Sequence, residues 1–308
     1  MVLLVEKLGR ALKFPSSSRL EDHHLNSEAL WASLSGFRSN VSGFINKILL
    51  KPENPGRKLL SLTGFKECFE LIDVGNRAFA KLVVEIDYPM SRWGGRATDE
   101  YLKYTLSLLD LLNSINSSVS HLSQAKISVS HALSMIRDSP TAKNLKKISG
   151  RSSGKDFRFE GSVRIGERPG CEKELVVLQA LMVSKKIAFL ALGLVLSGCS
   201  GDAKPYMEVR KFTGGSDDSL IKVLDSRFCE EVAKIQGTLE EVEEVNSATE
   251  RLSAASSAGR YGEAAEELKA RLETLENSIQ GIGKKANKLF SEVLAARNKL
   301  LDNIRLTK

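Results

Sequence analysis

Apolar residues recur along this chain in alternating steps of four and three. Leu30, Leu34, Phe37, Val41, Phe44 and Ile48 keep that step, which lays a single apolar stripe along a helix. Pro52 and the Pro55-Gly56 pair end it. A second stripe, Leu62, Phe65, Phe69, Ile72, Phe79, Val83 and Ile86, predicts a helix over 59–86. It stops at Tyr88-Pro89, because the residue before a proline is pushed out of the helical region. Thr98 reads as an N-cap, with Asp99 and Glu100 in the first turn, where the helix dipole favours acids. Leu108, Leu112, Ile115, Val119 and Leu122 carry that helix towards Ile136. Its many serines between Ser114 and Ser134 predict a packed central helix that a neighbour approaches closely.

The pattern then breaks. Residues 139–170 contain five glycines and read as a flexible loop dividing the chain in two. The next stretch, 172–198, is the most apolar of all. Its uninterrupted part, Ile187–Gly198, has 12 residues, whereas a bilayer span needs about 20. Extending it back to Leu175 includes Lys185 and Lys186, each costing roughly 2.5–3.5 kcal/mol near a bilayer centre. A buried helix of a bundle is the favoured reading. A single membrane span through 175–198, with Ile187, Phe189, Leu190, Leu192, Leu194, Val195 and Leu196 in lipid, is the alternative.

A loop is expected over 200–216, and Asp217-Asp218 then open one helix with Leu224, Phe228, Ile235, Leu239, Val242 and Leu252 on its buried face. Gly259-Arg260-Tyr261-Gly262 makes a turn. The last stripe is the most regular: Leu268, Leu272, Leu275, Ile279, Ile282, Ala286, Leu289, Val293, Ala296 and Leu300. It is a heptad pattern held for more than four repeats, forming an antiparallel hairpin with the helix before it. The seam is read as internal to a bundle, with an oligomerisation coiled coil as the sharper alternative. No run alternates apolar and polar as a strand would. The fold class is therefore all-α, an elongated helical bundle with a C-terminal antiparallel coiled-coil-like hairpin. Its expected parts are a flexible tail over 1–24, a helical region over 25–138, a basic flexible loop over 139–170, and a second helical region over 171–308. The second region packs on the first and includes the apolar helix 174–198.

Charge sharpens this picture. The chain has 308 residues and a net charge of +7. Eight basic groups against three acids place +5 in residues 139–170 alone. Lys143, Lys146, Lys147, Arg151, Lys155 and Arg158 are therefore the candidate contact for an acidic protein or for lipid headgroups. Ser149, Ser152, Ser153 and Ser162 beside them are candidate phosphorylation sites that would cancel the charge. Phe157 and Phe159 interleave the basic residues, but no reading element accompanies them, so nucleic-acid binding is set aside. Residues 1–20 carry Lys7, Arg10, Lys13 and Arg19 with Ser16, Ser17 and Ser18, a weak likeness to a transit peptide. They are read as a basic tail. The expected location is the cytoplasm, with or without membrane association, and a plastid location is set aside.

No catalytic constellation emerges. Cys68, Cys171, Cys199 and Cys229 lie far apart and form no CxxC; they are read as reduced thiols. Gly150-Arg151-Ser152-Ser153-Gly154-Lys155 is one residue short of a phosphate loop and follows no strand. His23-His24 sit in a polar turn, and His121 and His131 stand ten residues apart on the Ser-rich helix. A closed polar pocket around His121 or His131 is the feature that would favour an enzyme. No cofactor and no metal are expected.

The run Phe65 to Trp93, FKECFELIDVGNRAFAKLVVEIDYPMSRW, and the run Tyr101 to Leu122, YLKYTLSLLDLLNSINSSVSHL, resemble the plant BYPASS-related proteins. KLFSEVLAARNKLLDNIR, Lys288 to Arg305, is similar to that family's C-terminus. The resemblance covers most of the chain from Leu30. It implies a role in shoot and root development, through restraint of a root-derived signal or a link to secretion by way of an exocyst subunit. It also implies membrane association for some members, and it supplies no catalytic residue. The expected function is a non-enzymatic adaptor or regulator with a protein partner, engaged through the heptad hairpin or the basic loop. The alternatives are a membrane-anchored protein and an enzyme of small-signal metabolism.

Overall fold

The computed structural model describes residues 27–49, 59–138, 145–149, 159, 170–213, 218–233, 239–257 and 262–306. The expected tail 1–24 lies outside them. Among the described residues the chain is all helical: α1 (Ser27–Leu49), α2 (Leu62–Glu85), a 3-10 turn (Met90–Arg92), α3 (Gly95–Asp138), α4 (Glu172–Ser200), α5 (Lys204–Thr213), α6 (Ser219–Ala233), α7 (Glu240–Ser257) and α8 (Gly262–Leu306).

The stripes become the core. Leu30, Leu34, Phe37 and Val41 are buried, but Ile45 continues the line where Phe44 was expected, because 3.6 residues per turn drifts from a strict 4-3 step. α2 ends as a Schellman motif. The Tyr88 amide donates to the Val83 carbonyl at 3.2 Å and the Asp87 amide to Val84 at 3.1 Å, with Asp87 left-handed at φ 47. Trp93 then packs edge-on between Phe79 and Tyr101 and donates its indole N–H to the Tyr88 carbonyl at 3.1 Å. That closes the turn from α2 into α3.

α4 occupies the centre. It touches α1, α2, α3, α5 and α6. Ile187, Phe189, Leu190, Leu192, Leu194, Val195 and Leu196 are each at most 1% exposed. The helix is long and apolar enough to cross a bilayer, yet 78% of its most apolar window is buried inside the bundle. Lys185 does not interrupt this. Its ammonium lies 3.6 Å from the Glu100 carboxylate of α3 and 5.9 Å from the centre of the Phe189 ring. Burial pulls its pKa below the ordinary lysine value, and Glu100 opposes that pull. A charge inside a core survives only when paired in this way.

The Ser-rich α3 is thus not the central helix. Of its serines Ser118 is buried, while the hydroxyls of Ser107, Ser114 and Ser128 donate back to carbonyls one turn earlier. Nor does Thr98 cap it. The helix begins at Gly95, and the buried carboxylate of Glu174 accepts from the Ala97 amide at 3.3 Å and the Gly170 amide at 2.8 Å. The expected loop over 200–216 contains α5. Asp202 accepts from the Lys204 amide at 2.9 Å, Pro205 sits in the first turn, where its missing N–H is harmless, and Tyr206, Val209 and Thr213 are buried. The single helix expected after Asp217 is two, α6 and α7. Asp218 starts the first by accepting from the Leu220 amide at 3.1 Å; residues 234–238 between them lie outside the described residues.

Two directions organise the molecule. α3 and α8 run antiparallel for almost their whole length, each about 66 Å at 1.5 Å per residue. Arg297 meets the Thr105 hydroxyl at 3.1 Å, Asn116 meets Asn287 at 2.9 Å, and Lys126 meets Glu276 at 2.6 Å. α3 and α4, by contrast, run parallel: 97 faces 174, Glu100 faces Lys185, and Tyr104 packs on Phe189. Parallel neighbours in sequence need a long crossover.

Close packing of α4 is testable. A methyl at Gly198 would stand 2.4 Å from the Phe65 ring, while one at Gly75 meets nothing within 4 Å. Gly198→Ala is expected to cost about 1–3 kcal/mol. Gly75→Ala is expected to gain up to about 1 kcal/mol by helix propensity. Urea unfolding of both variants checks the contrast.

Candidate functional site: an open groove on the long helix pair

The far half of α3 extends past the end of α4 and packs on α8 alone among the long helices. Leu122, Val129 and Leu133 are its inward line. At 100° per residue, His121, Ala125 and Ser128 lie on one side of that line, and Lys126, Ser130 and Ser134 on the other. The two flanks differ in cover.

The first flank is covered by residues 145–149. Ile148 is 2% exposed, and Asn246 of α7 holds its backbone from both ends. The Ile148 amide donates to the Asn246 side chain at 2.7 Å, and the Asn246 amide group donates to the Ile148 carbonyl at 2.9 Å. Further along, Phe159 packs on Phe189 of α4 and Phe212 of α5. With Gly170 at the start of α3, these are the described points of the connection between α3 and α4, here called the strap. The loop expected over 139–170 lies mostly outside the described residues, which within it are 145–149, 159 and 170. Of the basic candidates, Lys146 and Lys147 lie there, exposed. Lys147 is paired with Glu250 of α7 and holds that carboxyl below its ordinary pKa. Lys143, Arg151, Lys155 and Arg158 lie outside the described residues. Only Lys146 and Lys147 of the six are therefore placed by the structure.

The second flank is open among the described residues. It forms a groove of about 590 Å³ between α3 and α8. Leu133, Leu272 and Ala265 give it an apolar floor. Lys126 with Glu276 at 2.6 Å, Lys269 with Glu266 at 4.0 Å, and Glu273 form its rim. Three carboxylates against two ammonium groups leave that rim acidic. The groove escaped the sequence reading because Leu133 and Leu272 look like ordinary stripe members; only their antiparallel register places them side by side. α7 lies along the near half of α8, with Arg251 on Glu267 at 2.7 Å and Arg271 on Glu244 at 3.0 Å. This is the expected antiparallel hairpin.

His131 is exposed, and His121 borders a separate small cavity against the strap. The candidate membrane residues Ile187, Phe189, Leu190, Leu192, Leu194, Val195 and Leu196 are interior. No group of three or more metal-ligating side chains occurs among the described residues.

Comparison with known proteins bears on the family and on the expected location. The chain is 24% identical over 305 residues to "Protein BPS1, chloroplastic" of Arabidopsis thaliana, covering 91% of this chain and 85% of that protein. It is 22% identical over 246 residues to "UPF0496 protein 4" of Oryza sativa subsp. japonica, covering 71% of this chain and 53% of that protein. The chain thus spans about half of the rice relative's length. No solved structure matches. The cytoplasmic location expected above, with the plastid set aside, is corrected by the Arabidopsis relative, whose name is chloroplastic. The family model for Protein BPS1 matches residues 91–304, from the 3-10 turn through the strap to the end of α8, and on that match the chain belongs to the plant BPS1 family.

Proposed function

We propose that the chain is a non-enzymatic adaptor that takes a partner helix into the α3–α8 groove. The observation that carries this reading is the uneven cover of the α3–α8 seam. One flank is filled by the strap and α7, while the other presents buried leucines at the floor of an open groove. An amphipathic helix laid there would bury its apolar stripe on Leu133 and Leu272, the helix-in-groove mode of recognition. The rim favours a partner with basic residues beside its stripe, so that Glu273 and Glu276 meet opposite charge. Membership in the BPS1 family supports a role in plant development. The chloroplastic name of the Arabidopsis relative supports a plastid as the meeting place, with residues 1–20 as the transit-like segment.

Two outcomes follow. A photo-crosslinking side chain at Ser134, on the groove, is expected to capture a discrete protein in plant tissue, while one at the exposed Val223 of α6 captures none. Glu273→Arg is expected to reduce that capture about tenfold, equivalent to about 1.4 kcal/mol. Equal yields at both positions, or indifference to Glu273→Arg, would contradict the groove as the contact. A C-terminal fluorescent fusion is expected to coincide with chlorophyll fluorescence and to disperse when 1–24 is removed. Uniform cytosolic signal from the intact chain would contradict the plastid reading.

A further inference from the structure

The small cavity behind the strap has chemistry of its own. It measures about 240 Å³ and is lined by His121, Ala125, Ser128 and Val129 of α3 and by residues 146–149. Its ionisable lining is basic: Lys146, Lys147 and the imidazole of His121, with the Ser128 and Ser149 hydroxyls beside them and no carboxylate among the lining residues. The Nδ1 atom of His121 is shielded from solvent and meets no hydrogen-bond partner among the described residues, a state that an incoming ligand group would relieve. The Ser128 hydroxyl already donates to the Gln124 carbonyl at 3.0 Å. Four donors therefore remain: two ammonium groups, the imidazole and Ser149. Glu250 engages Lys147 from outside the cavity, with both side chains 61% exposed. Exposed pairs of this kind are weak and exchange partners readily.

Four donors exceed what the two oxygens of a carboxylate need and suit a tetrahedral oxyanion, and clustered ammonium groups are phosphate binders. The volume lies below the roughly 300–1,000 Å³ of drug-sized sites and leaves room for one phosphate with a short tail. We propose that this cavity binds a phosphate monoester group. Three of the donors sit on the strap and one on α3, so an anion held between them ties the strap to the helix. It adds to the hold that Ile148 and Asn246 already exert, and it separates this site from the groove on the opposite flank.

The test uses the full chain, with sodium phosphate and glycerol 3-phosphate as soluble probes at matched ionic strength. Phosphatidylcholine vesicles with and without phosphatidic acid ask whether the group is a lipid headgroup. The expected result is a saturable rise in Tm of roughly 2 °C or more, with slower amide exchange over 145–149. His121→Ala and Lys146→Ala are each expected to weaken binding at least tenfold while leaving helical content unchanged. Lys269→Ala, on the groove, is expected to bind as the parent does. Response to the soluble probes assigns a free phosphate ester. Selective co-sedimentation with phosphatidic acid vesicles, lost in Lys146→Ala, assigns a headgroup to the same site. Absence of both responses in the parent chain overturns the proposal, as does equal loss in Lys269→Ala and Lys146→Ala.

Discussion

A helix that is apolar on every face is stable in water only when enclosed, and α4 sets that requirement for the whole chain. Its residues from Ile187 to Leu196 are almost wholly buried. At about 25 cal/mol per Å² of apolar surface removed from water, no other single element contributes as much. α1, α2, α3, α5 and α6 exist as the wall around it. The one charge carried into this interior, Lys185, is answered by Glu100. That pairing costs less than a bare ammonium but specifies which face of α3 must meet α4. Gly198 does the same at the far end, where the Phe65 ring occupies the space of a side chain.

Direction then follows from enclosure. α3 and α4 lie parallel, so the chain must return along α3 before α4 can begin. On that return Ile148 and its neighbours cover one flank of the extended α3–α8 pair, and Phe159 packs on α4 and α5. The other flank has no matching element among the described residues. The groove and the small basic cavity are thus two consequences of one topological fact: a single crossover covers only one side of a two-helix seam.

The helices were legible because their stripes are long and regular. The heptad of α8 is buried at every position from Leu268 to Leu300 that the spacing named. What was not legible depended on contacts between distant residues. The cap on α3 comes from Glu174, whose carboxylate lies far along the chain, so Thr98 was the natural local choice. α5 was hidden because 10 residues give a short stripe, although Asp202 and Pro205 mark its start. The break between α6 and α7 was masked by an apolar spacing that continues through Ile235. The hold on Ile148 was not legible, because Asn246, which supplies it, is 98 residues away. Neither cavity was readable, since each joins residues whose proximity only the α3–α8 register or the strap creates.

Hydrogen exchange of the purified chain in detergent-free buffer tests the enclosure of α4 most directly. An enclosed α4 gives a dispersed, soluble protein in which the amides of 187–196 are the slowest of all and exchange only on global unfolding. A chain that needs detergent to stay in solution, or an α4 that exchanges as fast as the ends of α8, would contradict it.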